Sequence, residues 1–159
     1  DSHIIFGKHD APINLTVISN PHCFPCAKIH NQIRLLMKKF PIVNVRYIFT
    51  AFNSQLLSSN RYLIASYLEA GEKAIILFDE WFESGSSNPK KFWKEHPVKW
   101  VGLRVEKEIL AHLAWTRNNR MSKTPAVLLN GVLIPEIFTI SDLSFLLQVD
   151  GETRKSKTE

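Results

Sequence analysis

Cys23 and Cys26 are the only two cysteines in this chain, and they frame Phe24-Pro25 where a strand pattern gives way to a helix pattern. Ile13 to Ser19 alternates and is rich in β-branched residues, whereas Ala27 to Phe40 repeats apolar residues at helical spacing. A chain that places both its thiols on one short loop uses them together. Residues three apart share a helix face, so the sulfurs can meet, but the ring they would close is very small. Loop-closure entropy grows with the length enclosed, so such a bridge stabilises little, and the spacing favours a redox couple over a staple. Unpaired N–H groups and the positive end of the helix dipole favour thiolate at Cys23. A contribution of roughly 1 to 2 kcal/mol lowers a thiol pKa by about one unit, from about 8.5 toward about 7.5. Pro25 suits the first turn, where its missing N–H has no intrahelical partner.

A Cys-x-x-Cys pair is also half of a zinc site. Structural zinc takes four ligands, usually as two separated pairs, and this chain has no second cysteine pair. His22, and His30 one turn beyond Cys26, are the side chains placed to complete such a site. The redox reading is favoured over this one and over two unrelated core cysteines, and no metal is assigned.

Far downstream, Lys123 to Pro135 reads as strand, tight turn and strand, with Asn130-Gly131 as the hairpin signal. A proline at the head of a strand, here Pro125, removes no essential ladder bond. It can accompany a cis peptide bond, although taken alone an X-Pro bond is more often trans.

A strand, a Cys-x-x-Cys opening a helix, then Thr124-Pro125 before a hairpin and a final helix together resemble the thioredoxin superfamily, over about Ile13 to Leu147. The resemblance implies an α/β, thioredoxin-like fold: a central mixed sheet flanked by helices, with a helical insertion before the cis-proline strand. It implies that Cys23 is the exposed nucleophile, that Cys26 resolves the mixed disulfide, and that a cis Pro125 packs beside them. The backbone of Thr124 would then pair with an extended substrate by strand addition. His22, Phe24 and Pro25 would shape the surroundings of the sulfurs. The implied partners are protein or peptide thiols and disulfides, with no cofactor beyond a redox-active Cys23–Cys26 disulfide. Many relatives carry a buried carboxylate six residues before the first cysteine; here that position is Val17. Water or a group that the sequence does not place must therefore assist deprotonation of Cys26. The stretch Asn20 to His30, with Thr124-Pro125 and Leu129-Asn130-Gly131, is also similar to the thioredoxin-like domains fused to vitamin K epoxide reductase-type membrane proteins. That similarity implies a quinone-linked membrane redox domain upstream on the same native chain, while a DsbA-like helical insertion and the fragment-like ends point to a periplasmic or extracytoplasmic location. The opening Asp1-Ser2-His3, with no initiator Met, reads as a processed or excised fragment.

With 159 residues the chain is read as a single domain, 1–159. Its 45% hydrophobic and 22% charged residues exclude general disorder. No apolar run is long enough to cross a bilayer. A second strand is expected over Ile42 to Phe49 and a helical insertion, of the kind seen in the DsbA-like branch, over about 55–120. Within it the periodicity predicts helices over Ser59 to Ala70, Glu72 to Glu83, Asn88 to Lys94 and Arg104 to Asn119. A last helix, Ser141 to Val149 with Ser141 as N-cap, precedes a polar tail, 151–159, read as frayed.

Trp81, Phe82, Phe92, Trp93, Trp100 and Trp115 crowd the insertion, either as a groove for unfolded substrates or as its own core; the core reading is favoured. Lys90, Lys91, Lys94, Lys99, Arg104 and Lys107 read as a solvated face, and no nucleic-acid fingerprint accompanies them. His3, His9, His96 and His112 receive no role. The expected function is thiol-disulfide exchange with protein substrates. The alternative is a redox-inactive thioredoxin-like adaptor that binds extended peptides beside Thr124, for which the Cys23 pKa would match or exceed that of free cysteine.

Overall fold

The computed structural model describes residues 2–50, 53–99 and 101–156. Strands β2 (Ile13–Ser19) and β3 (Val43–Phe49) run parallel at the middle of a five-stranded mixed sheet ordered β1-β3-β2-β4-β5. The antiparallel members are β1 (Ile5–Phe6), β4 (Ala126–Leu129) and β5 (Val132–Leu133). The crossover between the parallel strands is helix α1 (Phe24–Lys39). Register sets Val17 opposite Tyr47 on one side and Val127 on the other. Side chains two apart in a strand share a face, so Leu15, Val17, Ser19, Val45, Tyr47, Phe49 and Val127 lie together. The apolar members of this set and Tyr47 form the core with Cys26, Ile33 and Leu36 of α1. The two-residue strand β1 is too short to carry a period-2 signal, and the sequence reading missed it.

Between β3 and β4 stand α2 (Ser54–Ala70), α3 (Ile75–Glu83), α4 (Pro89–Glu95) and α5 (Leu103–Asn118), which bears out the helical insertion. α2 starts earlier than its apolar period suggests because Asn53 caps it, its Oδ1 accepting the Leu56 N–H at 2.9 Å. A 3₁₀ turn, Gly71–Ala74, takes the place of the first turn expected for α3. Trp81 is fully buried, edge-on to Phe92 at 5.4 Å and stacked with Trp93 at 6.5 Å. With Phe82 also buried, these rings form a core and not an open groove. Trp115 is half-buried, and Trp100 lies outside the described residues. Gly85 is required here, since a Cβ would lie 2.5 Å from the Phe92 ring. Lys90, Lys91, Lys94, Lys99, Arg104 and Lys107 are all exposed.

The Asn130-Gly131 turn has φ of +48° and +84°, the left-handed pair that a two-residue hairpin needs. Helix α6 (Ile140–Ser156) is capped by Thr139, not by Ser141. The Thr139 hydroxyl accepts the Asp142 N–H at 3.2 Å while Asp142 Oδ2 accepts the Thr139 N–H at 2.7 Å. Asp142 closes this reciprocal box from three positions on, a spacing that Ser141 lacks. The helix runs further than the Val149 end expected from the sequence.

Candidate active site

Cys23 is the N-cap of α1, in extended conformation, with its sulfur accepting the Cys26 N–H at 3.3 Å. One of the orphan donors of the helix start is thus spent on this sulfur. Pro25 occupies the first turn and no acidic residue stands there to compete with a thiolate. Cys26, facing inward on the same turn, is 1% exposed; Cys23 is half-buried. Both are free thiols. Burial, then the hydrogen bond with Cys23, pushes the Cys26 thiol up to about 12, while the Asn20 N–H, 3.5 Å from its sulfur, and the Ser19 hydroxyl temper the rise. The Ser19 oxygen is buried with no well-formed hydrogen bond of its own.

The peptide bond between Thr124 and Pro125 is cis, and the Thr124 carbonyl oxygen lies 4.0 Å from the Cys23 sulfur. Residues one hundred apart in sequence thus meet because β4 pairs with β2 in a register that places its leading end at the C-terminal end of β2, next to α1. Beside them opens a groove of about 480 Å³ whose walls include Pro25, Ile29, Pro125, Leu133, Ile134 and Phe138. Lys28, Arg120 and Lys123 also line it. Phe24 projects from the helix start with 84% of its surface exposed.

His22 turns away from the sulfurs, its Nε2 lying 2.6 Å from Ser59 Oγ of α2. Burial lowers its pKa and so favours the neutral ring. Trp81 of α3 donates its indole N–H to the Pro21 carbonyl at 2.8 Å. The loop that presents Cys23 is therefore braced by the insertion. His30 is committed elsewhere as well, with Nδ1 2.6 Å from Tyr47 Oη and Nε2 2.8 Å from Asp79 Oδ1. The two histidines that could have completed a zinc site thus have other partners, and among the described residues no cluster of three or more metal-ligating side chains stands together.

Sequence reasoning missed Ser19, Tyr47, Trp81 and Asp79 around this site. The i, i+4 spacing of Cys26 and His30 was the available signal, and it was read toward metal. Nothing local links Tyr47 or Asp79 to it.

No protein-family model matches the chain, and no curated protein matches it. Solved structures do. ScsC of Proteus mirabilis in a transitional conformation superposes with a TM-score of 0.78 at 14% identity, covering 91% of this chain and 69% of that one. The thiol-disulfide exchange protein alpha-DsbA2 of Wolbachia pipientis gives 0.75 at 13% identity, covering 91% and 84%. A periplasmic thioredoxin-like protein of Salmonella enterica serovar Typhimurium gives 0.74 at 16% identity, covering 91% and 87%. These likenesses show that the chain has a thioredoxin-like fold, here carrying a Cys-x-x-Cys at a helix start and a cis-proline beside it.

Proposed function

We propose that this domain exchanges disulfides with protein substrates, Cys23 attacking or being attacked first and Cys26 resolving the mixed disulfide. The observation that carries this reading is the Cys23 sulfur itself: held at a helix N-cap by a backbone N–H, half-buried, and 4.0 Å from the carbonyl of the cis-proline segment. A substrate strand that hydrogen-bonds to Thr124 would bring its own sulfur to Cys23, and the neighbouring apolar groove would take the flanking side chains. The groove's lysines and arginine favour acidic or neutral segments over basic ones. An extracytoplasmic location and electron exchange with a quinone-linked membrane domain are supported by the likeness of 20–30 to fused membrane proteins and by the periplasmic Salmonella neighbour. Among the described residues no helix is long and apolar enough to cross a membrane.

The test is turnover of insulin or of a dithiol peptide. Cys23→Ser abolishes it; Cys26→Ser leaves the first attack intact and accumulates mixed disulfides with partners. Retained turnover in Cys23→Ser refutes the assignment.

A further inference from the structure

Resolution requires Cys26 to lose a proton, yet its sulfur is almost sealed from solvent. A group that accepts this proton must lie on the covered face of the sheet, carry a basic atom, and connect outward. Val17 has no such atom, and a serine hydroxyl such as Ser19 can pass a proton but not keep it. Tyr47, opposite Val17 in the parallel register, is fully buried on that face. His30, equally buried, stands one turn beyond Cys26 on α1, where residues four apart share a face. Tyr47 Oη lies 2.6 Å from His30 Nδ1, His30 Nε2 lies 2.8 Å from Asp79 Oδ1, and Arg34 grips Asp79 through Nε at 2.8 Å and Nη2 at 3.1 Å. The file ends on α3, where the Asp79 side chain is 38% exposed.

The hydrogen bonds fix the direction of the file. Burial works against the Asp79 charge, but His30 and Arg34 outweigh it and hold the carboxyl below its ordinary value. A carboxylate can only accept, so His30 Nε2 carries the ring proton and Nδ1 presents its lone pair. Tyr47 therefore donates to Nδ1, which leaves its oxygen lone pairs free toward the core. Burial keeps Tyr47 protonated, and the charge on the Cys26 sulfur bears on it. Burial likewise keeps His30 neutral at rest, against the pull of Asp79. Cys26 and Arg34 on α1, Tyr47 on β3 and Asp79 on α3 are the titratable and charged groups that act on this pair.

We propose that Tyr47, His30 and Asp79 form the proton relay for Cys26, an inference that rests on the exchange reading above. As the Cys26 sulfur attacks Cys23 Sγ, the Cys23–Cys26 bond forms, the bond from Cys23 to the substrate sulfur breaks, and that sulfur leaves with the electron pair. No direct hydrogen bond joins the Cys26 sulfur to Tyr47, so the Cys26 proton reaches the Tyr47 oxygen through an intervening water, while the Tyr47 proton passes to His30 Nδ1, leaving an imidazolium against Asp79. The departing substrate thiolate takes its proton from water. When a substrate thiolate instead attacks the oxidised pair, Cys26 leaves with the electrons and draws the proton back along the same path. Tyr47 and His30 act through Cys26 and are positioning residues.

Reduced protein mixed with dithiobis(nitrobenzoate) reads both steps by absorbance, since attack by Cys23 frees one nitrothiobenzoate and attack by Cys26 frees the second. In Tyr47→Phe and His30→Gln the first release keeps the wild-type rate and the second slows roughly tenfold or more at neutral pH, the scale of a lost general base. Asp79→Asn, made at a partly exposed position, slows the second release to a smaller extent. Lowering the pH through the titration of His30 removes the acceptor, so the wild-type second release falls toward that of the variants. A second release at the wild-type rate in Tyr47→Phe overturns the relay; should that variant not fold, a wild-type rate and pH profile in Asp79→Asn overturns it. A wild-type protein that fails to give the first release refutes the exchange reading instead.

Discussion

Replacing Glu108 by Gln should cost this fold about 3 kcal/mol at neutral pH, and nothing at strongly acid pH. Glu108 lies on α5 with 4% of its surface exposed. Its Oε1 accepts the His3 backbone N–H at 2.7 Å and the His112 Nε2 proton at 3.1 Å, and its Oε2 lies 2.7 Å from His3 Nδ1. His112 Nδ1 accepts the Phe49 N–H at 3.1 Å, which assigns the ring proton to Nε2, shared with Ser2 Oγ at 2.8 Å. The carboxylate thus fastens the N-terminal segment to α5 and, through His112, to β3. Burial alone would raise its pKa, but the hydrogen bonds from His112 and His3 bring it down to about 2. Against an ordinary glutamate value of about 4.3, that depression is worth roughly 3 kcal/mol. A folded pKa below the unfolded one means the stability is fully present above about pH 5 and drains away between about pH 4 and pH 2. Glutamine keeps the shape but offers one acceptor oxygen and an NH₂ that faces donors. Urea unfolding of the two proteins across pH measures the gap, which corresponds to a fall in Tm of about 6 to 12 °C at pH 7 for a chain of this size. A gap below about 0.5 kcal/mol at pH 7, or one undiminished at pH 2, refutes the reasoning.

Gly85→Ala drives a methyl group against the Phe92 ring at 2.5 Å and should lower stability by about 1 to 3 kcal/mol, read as the urea midpoint at constant slope. Asn130→Ala puts a left-handed φ of +48° on alanine and removes the Oδ1 that accepts the Asn14 N–H at 2.7 Å; a loss of about 1 to 2 kcal/mol follows. Ser19→Ala deletes a buried hydroxyl without a well-formed bond, so stability should hold within about 0.5 kcal/mol while mixed disulfides at Cys23 persist longer. A loss well above 1 kcal/mol would mean that this hydroxyl has a strong partner.

The legible features were those decided within a few residues of chain. The helix start at Cys23, the hairpin at Asn130-Gly131, the parallel pair of apolar strands and the run of helices between them each follow from backbone preferences and apolar period, which act between near neighbours. Thr124-Pro125 was placed beside the sulfurs only by resemblance, because no local force joins residues a hundred positions apart. Even local rules ranked two caps wrongly: Ser141 was chosen over Thr139 and the reach of Asn53 was overlooked, since a cap is settled by which side chain meets a free N–H. By itself, then, the sequence determined the order and approximate place of the longer elements and that two thiols share one helical turn. Only the tertiary structure decided which polar side chains meet in the core. Strand register set Tyr47 beneath α1, helix packing carried Asp79 to His30 and Glu108 to His3, and the insertion took His22 and Pro21 as supports for the cysteine loop. Such pairings depend on the relative placement of whole elements, because a buried polar group is stable only where its partner arrives.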